Sequence, residues 1–227
     1  MSFKEFVKEL NGSRVEGELI KIVIYSLIGS LIVLAIFYFT RLKYIEGFMG
    51  NYAFYLFLAI VSYALIVPSV HQVRSYKQFH CMAGMMIGMT IGMIAGFLSG
   101  YLIGATNGMF VGSVFGMIVG ISLGAWNGRC CGIMGVMEGM MAGFMAGPMG
   151  AMTAVMLLND NLRAASVILT IVGLAILGGL NFMIYKEMKH SKVKEREDIF
   201  ISLIISIILT IATTWLMVFG PRSALFQ

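Results

Sequence analysis

From Gly84 to Gly132, glycine occupies every fourth position of the chain, and after a small slip the series continues through Gly135, Gly139, Gly143, Gly147 and Gly150. Glycines four residues apart on a helix line up into a groove without side chains. Another backbone can then approach closely. In lipid such close approach has to supply what the hydrophobic effect supplies in water, because lipid tails are as apolar as the helices themselves. The segment therefore reads as the core of the molecule, with the other apolar stretches as its surround.

Those stretches settle the broad class. Of 227 residues, 59% are hydrophobic and 12% charged. Several apolar runs reach about 20 residues, the length that crosses a bilayer. An all-α, polytopic integral membrane protein is expected, with about seven transmembrane helices and a Gly/Met-rich core formed by spans 3–5. In such a chain a net charge of +5 marks loops on the cytoplasmic side, not a nucleic-acid footprint. Three cysteines do not make a disulfide framework. The first apolar span starts late and is long, so no cleavable leader is expected.

The chain divides as follows. Residues 1–17 hold an interfacial cytoplasmic helix over 2–10, with Phe3, Phe6, Val7 and Leu10 on one face and Lys4 and Lys8 at headgroup level. Residues 18–70 carry spans 1 (about 18–40) and 2 (about 51–70). Residues 71–158 carry spans 3 (81–104), 4 (108–126) and 5 (130–157). Residues 159–220 carry spans 6 (164–185) and 7 (199–219). Residues 221–227 form a tail, and its last four, Ala224-Leu225-Phe226-Gln227, read as the remnant of a tag cut by a 3C-type protease. Two Gly-Ala-x-Asn-Gly stretches, Gly104–Gly108 and Gly124–Gly128, predict tight turns between the core spans. With seven spans, twelve Lys and Arg fall on the side of the N-terminus and four on the other. This places the N-terminus in the cytoplasm and the C-terminus outside, in a cell (plasma) membrane.

Sulfur is concentrated in the core: fifteen of twenty methionines lie between Met82 and Met156. Cys81, Met85, Met89 and Met93 form one slowly turning stripe on span 3. Cys130, Cys131, Met134, Met137, Met141 and Met145 begin another on span 5, continued by Met149, Met152 and Met156. Spans 3 and 5 run in the same direction, so the three cysteines and His80 are expected together at the inner end. Thiolates and thioethers are soft ligands that select Cu(I) over hard cations. Methionine is also an adaptable filler of irregular gaps, so the same pattern fits a glycine groove packed with flexible knobs. Met85-xxx-Met89 followed by Gly112-xxx-Gly116 is similar to the paired motifs of the eukaryotic copper-uptake (Ctr) family. Those proteins have three spans and a methionine-rich outer tail, and no residue role is carried over.

Glu138 is the one ionisable side chain well inside spans 3–5. Intramembrane carboxylates usually face a cavity or a partner. His71 and His80 are placed in a solvated loop, Arg129 at the interface, and Trp126 in the aromatic belt. With no histidine expected inside a span, a bis-histidine haem is unexpected. No P-loop or zinc-protease motif occurs, and an enzyme is not expected. The leading expectation is a transporter or channel for a soft metal ion, Cu(I)-like. Its metal residues would be Cys81, Met85, Met89, Met93, Cys130, Cys131, Met134, Met137, Glu138, Met141 and Met145. A soluble metal chaperone on the cytoplasmic side and a homo-oligomer are expected partners, besides the lipid bilayer. The alternatives are a structural or assembly protein packed by its glycines, and a thiol redox membrane protein.

Overall fold

The computed structural model describes residues 15–40, 52–76, 79–188 and 199–221. The expected N-terminal helix, the Lys189–Arg196 stretch with His190, and the last residues lie outside them. Seven α-helices occur among the described residues: α1 (Val15–Thr40), α2 (Ala53–Arg74), α3 (Cys81–Asn107), α4 (Met109–Gly128), α5 (Gly132–Met156), α6 (Leu162–Met188) and α7 (Ile199–Phe219). No strand occurs among the described residues. Among the described residues, six continuous runs are long and apolar enough to cross a membrane. One of them, Met109–Asn159, has 51 residues and contains both α4 and α5. It folds back on itself at the single turn Arg129–Cys131.

The core is built in layers of three small residues, one from each helix. Gly88, Gly128 and Gly135 meet in the first layer, and Gly92, Gly124 and Gly139 in the second. Gly96, Gly120 and Gly143 follow, then Gly100, Gly116 and Gly147, and last Gly104, Gly112 and Ala151. The numbering rises together on α3 and α5 and falls on α4. Hence α3 and α5 are parallel, as the sequence predicts, and α4 returns between them. The approach is backbone to backbone. A Cβ placed on Gly92 would stand 2.8 Å from the Gly139 carbonyl oxygen and 3.1 Å from the Gly124 Cα, where ordinary contact begins at 3.4 Å. The main chains of the three helices therefore pack directly against one another in layer after layer.

The other face of α3 carries the bulky residues. Ile87, Ile91 and Leu102 are buried with Leu56, Tyr63 and Ile66 of α2 and Leu177 and Leu180 of α6. α2 is the most buried of the apolar runs. By contrast, α4 and α5 contact little besides α3 and each other. The three-helix unit thus stands at one side of the bundle, attached through α3.

Two details differ from the sequence expectation. Only the first Gly-Ala-x-Asn-Gly stretch holds the expected turn, at its last residue Gly108; the second, Gly124–Gly128, is helical throughout. Gly104 and Gly124 lie inside helices, held in the layers, so the helices run on to Asn107 and Gly128. The reversals occur at the glycines that adopt left-handed backbone: Gly108 (φ 107°) and Gly132 (φ 71°). The second difference is His71. It belongs to the last turn of α2 and is 1% exposed. Its Nδ1 lies 3.3 Å from Ser202 Oγ of α7. A histidine therefore does lie within an apolar run, contrary to expectation, because α2 continues four residues past the predicted end. Nearby, Ser26 Oγ of α1 donates to Ser206 Oγ of α7 at 2.7 Å, and Gln72 Nε2 donates to the Asn181 carbonyl of α6 at 3.3 Å. These bonds satisfy polar groups in a dry setting and fix the rotation of the surrounding helices.

Asn107 ties the core to the surround. It is buried, its Nδ2 donates to the Leu216 carbonyl of α7 at 2.7 Å, and its Oδ1 accepts from Thr106 Oγ1 at 2.8 Å. Asn107→Leu removes this donor, while the Gly220 N–H still reaches the Leu216 carbonyl at 2.9 Å, so the expected loss is about 0.5–1.5 kcal/mol. A thermal melt in detergent checks it; an unchanged midpoint contradicts the tie.

Candidate functional site: a thiol cluster and two methionine faces

The turn between α4 and α5 carries Cys130 and Cys131, and both sulfurs lie over Gly84 of α3. A Cβ there would fall on Cys131 Sγ and stand 2.9 Å from Cys130 Sγ. Glycine is required at this position because the thiols occupy the space of its missing side chain. Cys81, one helical turn earlier on α3, lies within interaction range of the Cys131 thiol, as does Cys130. All three cysteines are free. Cys131 Sγ donates to the His80 carbonyl at 3.4 Å, and Cys130 Sγ to the Asn127 carbonyl at 3.2 Å. A soft metal ion binds the thiolate form, so loading these thiols releases their protons.

His80 sits just before α3 and is exposed, yet it is held: Glu187 Oε1 of α6 is 3.1 Å from its Nδ1 and accepts its backbone N–H at 3.3 Å. The solvated-loop expectation for His80 holds, with the Glu187 contact added to it. The sequence reading missed Glu187, whose only signal is its position at the end of span 6. Among the described residues, no group of three or more His, Cys, Asp and Glu side chains is arranged to hold a metal ion.

The methionines take the opposite side from the glycines. On α3, Met89 and Met93 are exposed and Met85 is half-buried. On α5, Met134, Met137, Met141 and Met145 are all exposed, at 55–65%. Met149, Met152 and Met156 extend the same face. Glu138 is exposed among Met134, Met137 and Met141, on the outer face of α5. The sulfurs therefore do not converge on a space between α3, α4 and α5. That space is filled by backbone, since a helix that turns its glycines inward must turn the neighbouring positions outward. Two lines of thioethers start at the thiol end and run the same way along the outside of two parallel helices.

Fold and site together define an all-α, multi-pass membrane protein with a backbone-packed three-helix core. No family model, curated protein or solved structure matches the chain.

Proposed function

We propose that this protein handles a soft metal ion of the Cu(I) type in the cell membrane, through its cysteines and methionines. One observation carries the reading: Cys81 of α3 and the Cys130–Cys131 pair of the turn gather at the end where two parallel methionine lines begin. Two-coordinate thiolate binding suits Cu(I), and the nearby thioethers of Met82 and Met85 offer further soft ligands. In this reading α4 and α5 each cross the bilayer, giving seven crossings. The N-terminus and the thiol end are cytoplasmic and the C-terminus is outside, following the basic side of the chain. A soluble metal chaperone could then deliver to the thiols or take from them.

The interior of the three-helix core has no room for a path. Movement would follow the outer methionine lines, and a cation there must be shielded from lipid because charge at the membrane centre is costly. A neighbouring copy facing the same lines supplies that shield, so transport in this reading belongs to a homo-oligomer, with Glu138 as a neutralising charge beside Met134, Met137 and Met141.

The test is metal analysis of purified protein loaded with Cu(I), Ag(I) or Zn(II), comparing wild type with Met85→Leu/Met89→Leu/Met141→Leu. The variant is expected to retain fewer Cu(I) and Ag(I) ions and to melt unchanged. Equal metal content removes the methionines from the function. A second reading, a structural or assembly protein, is favoured by the layers of glycine, which give a rigid core independent of any ligand. It expects no retained metal in either protein.

A further inference from the structure

Beside the thiol cluster lies a cavity of about 320 Å³, lined by Arg74 at the end of α2, by Trp126 and Asn127 near the end of α4, and by Arg129 and Cys130 of the turn. Its volume is at the lower end for small-ligand sites, which run from about 300 to 1,000 Å³. The Arg74 guanidinium lies over the Trp126 ring, 4.6 Å from its centroid, which fixes a positive charge at one wall. Arg129 is exposed at the mouth. Asn127 is 2% exposed. Its Nδ2 donates to the Leu123 carbonyl at 2.8 Å, while its Oδ1 is buried with no hydrogen-bond partner. A buried carbonyl left without a donor is uncommon, and each one asks what supplies the missing hydrogen.

The geometry points to a binding site for a phosphate ester that carries a hydroxyl group, in the form of an anionic lipid headgroup of the glycerol-phosphate type. Two guanidinium groups are the side chains best shaped to hold phosphate oxygens. The hydroxyl supplies the donor that Asn127 Oδ1 lacks. The site lies at the ends of apolar helices, on the side with the excess of Lys and Arg, where basic pockets between helices meet headgroups. The inference does not depend on soft-metal binding: it uses Arg74, Arg129 and Asn127, none of which is among the proposed metal ligands.

Native mass spectrometry of the full chain in detergent tests it, titrating phosphatidylglycerol, phosphatidylcholine and soluble glycerol 3-phosphate. Phosphatidylglycerol is expected to bind about threefold to tenfold more tightly than phosphatidylcholine: the phosphate is common to both, and the difference is the hydroxyl that donates to Asn127 Oδ1 in place of a choline cation facing two guanidinium groups. Glycerol 3-phosphate competing at equal concentration would assign the same pocket to a soluble ester and overturn the lipid assignment. Asn127→Leu is expected to erase most of the preference. Arg129→Lys, which keeps the charge but loses the planar fork, is expected to weaken it several-fold. Cys130→Ser is expected to leave it intact, which separates this site from metal binding. Equal binding of both lipids to wild type, or an unchanged preference in both Asn127→Leu and Arg129→Lys, overturns the proposal.

Discussion

Gly143→Val is expected to prevent the three-helix core from assembling, whereas Gly179→Ala, also within a helix, is expected to be neutral or slightly stabilising. A Cβ on Gly143 would coincide with the Gly120 carbonyl carbon and the Ile121 nitrogen of α4. Nothing there can swing away, because every neighbour is main chain. Overfilling an ordinary core costs about 1–3 kcal/mol, through side chains that shift rotamer. Here whole helices must separate, and moving α4 off α5 breaks the adjacent layers too. Gly143→Ala should already cost at least that amount, and the two extra methyls of valine should exceed what a marginal fold can tolerate. Gly179 of α6 has nothing within 4 Å, so alanine there gains helix propensity of about 0.8–1 kcal/mol or less. Protease resistance and a thermal melt in detergent decide. A Gly143→Val protein that melts within a few degrees of wild type would mean that the layers are not the source of stability.

Replacing the thiols should have the largest effect on metal binding. Cys81→Ser/Cys130→Ser/Cys131→Ser is expected to weaken Ag(I) and Cu(I) binding by about 100-fold or more, since hydroxyls are hard ligands that do not replace thiolates for these ions. Competition against a Cu(I) chelator reads the affinity directly. The triple variant should melt like wild type, because serine is close in size to cysteine and can still donate to the His80 and Asn127 carbonyls. Gly84→Val provides an independent check: it leaves all three thiols in the chain but fills the space their sulfurs occupy. It is expected to lower affinity as well. Undiminished binding in the triple variant would move the soft-metal site elsewhere or remove it.

The sequence pattern made the core legible because its physics is local and periodic. Glycine every fourth residue can only form a bare groove on a helix, and the direction of each helix follows from its order in the chain. The meeting of Cys81 with Cys130 and Cys131 was legible for the same reason: parallel α3 and α5 must start at one level. The facing of the methionines was not. Periodicity gives Met85, Met89 and Met93 a common side but does not say whether that side is inner or outer. The deciding fact is that glycine-to-glycine contact uses the inner face of all three helices completely. The one misplaced turn, at Gly124–Gly128, has a related origin. Asn-Gly permits a reversal, but Gly124 was already engaged with Gly139, so the helix continued to Gly128 and reversed at Gly132. His71 was misplaced because α2 ends in polar residues that find partners on α6 and α7, which a hydropathy window cannot detect.

The division of α5 into a backbone-only interior and a sulfur-bearing exterior lets its two sides be scored separately. A saturation library across Gly132–Met156 should show near-zero tolerance at Gly139, Gly143 and Gly147 under any selection for folded protein. At Met134, Met137, Met141 and Met145 the same library should accept Leu or Ile freely when only folding is selected. If growth in copper-limited or silver-containing medium then restores intolerance at those four positions alone, the outer side is under its own demand. If they stay permissive, their sulfur is replaceable by any side chain of that shape.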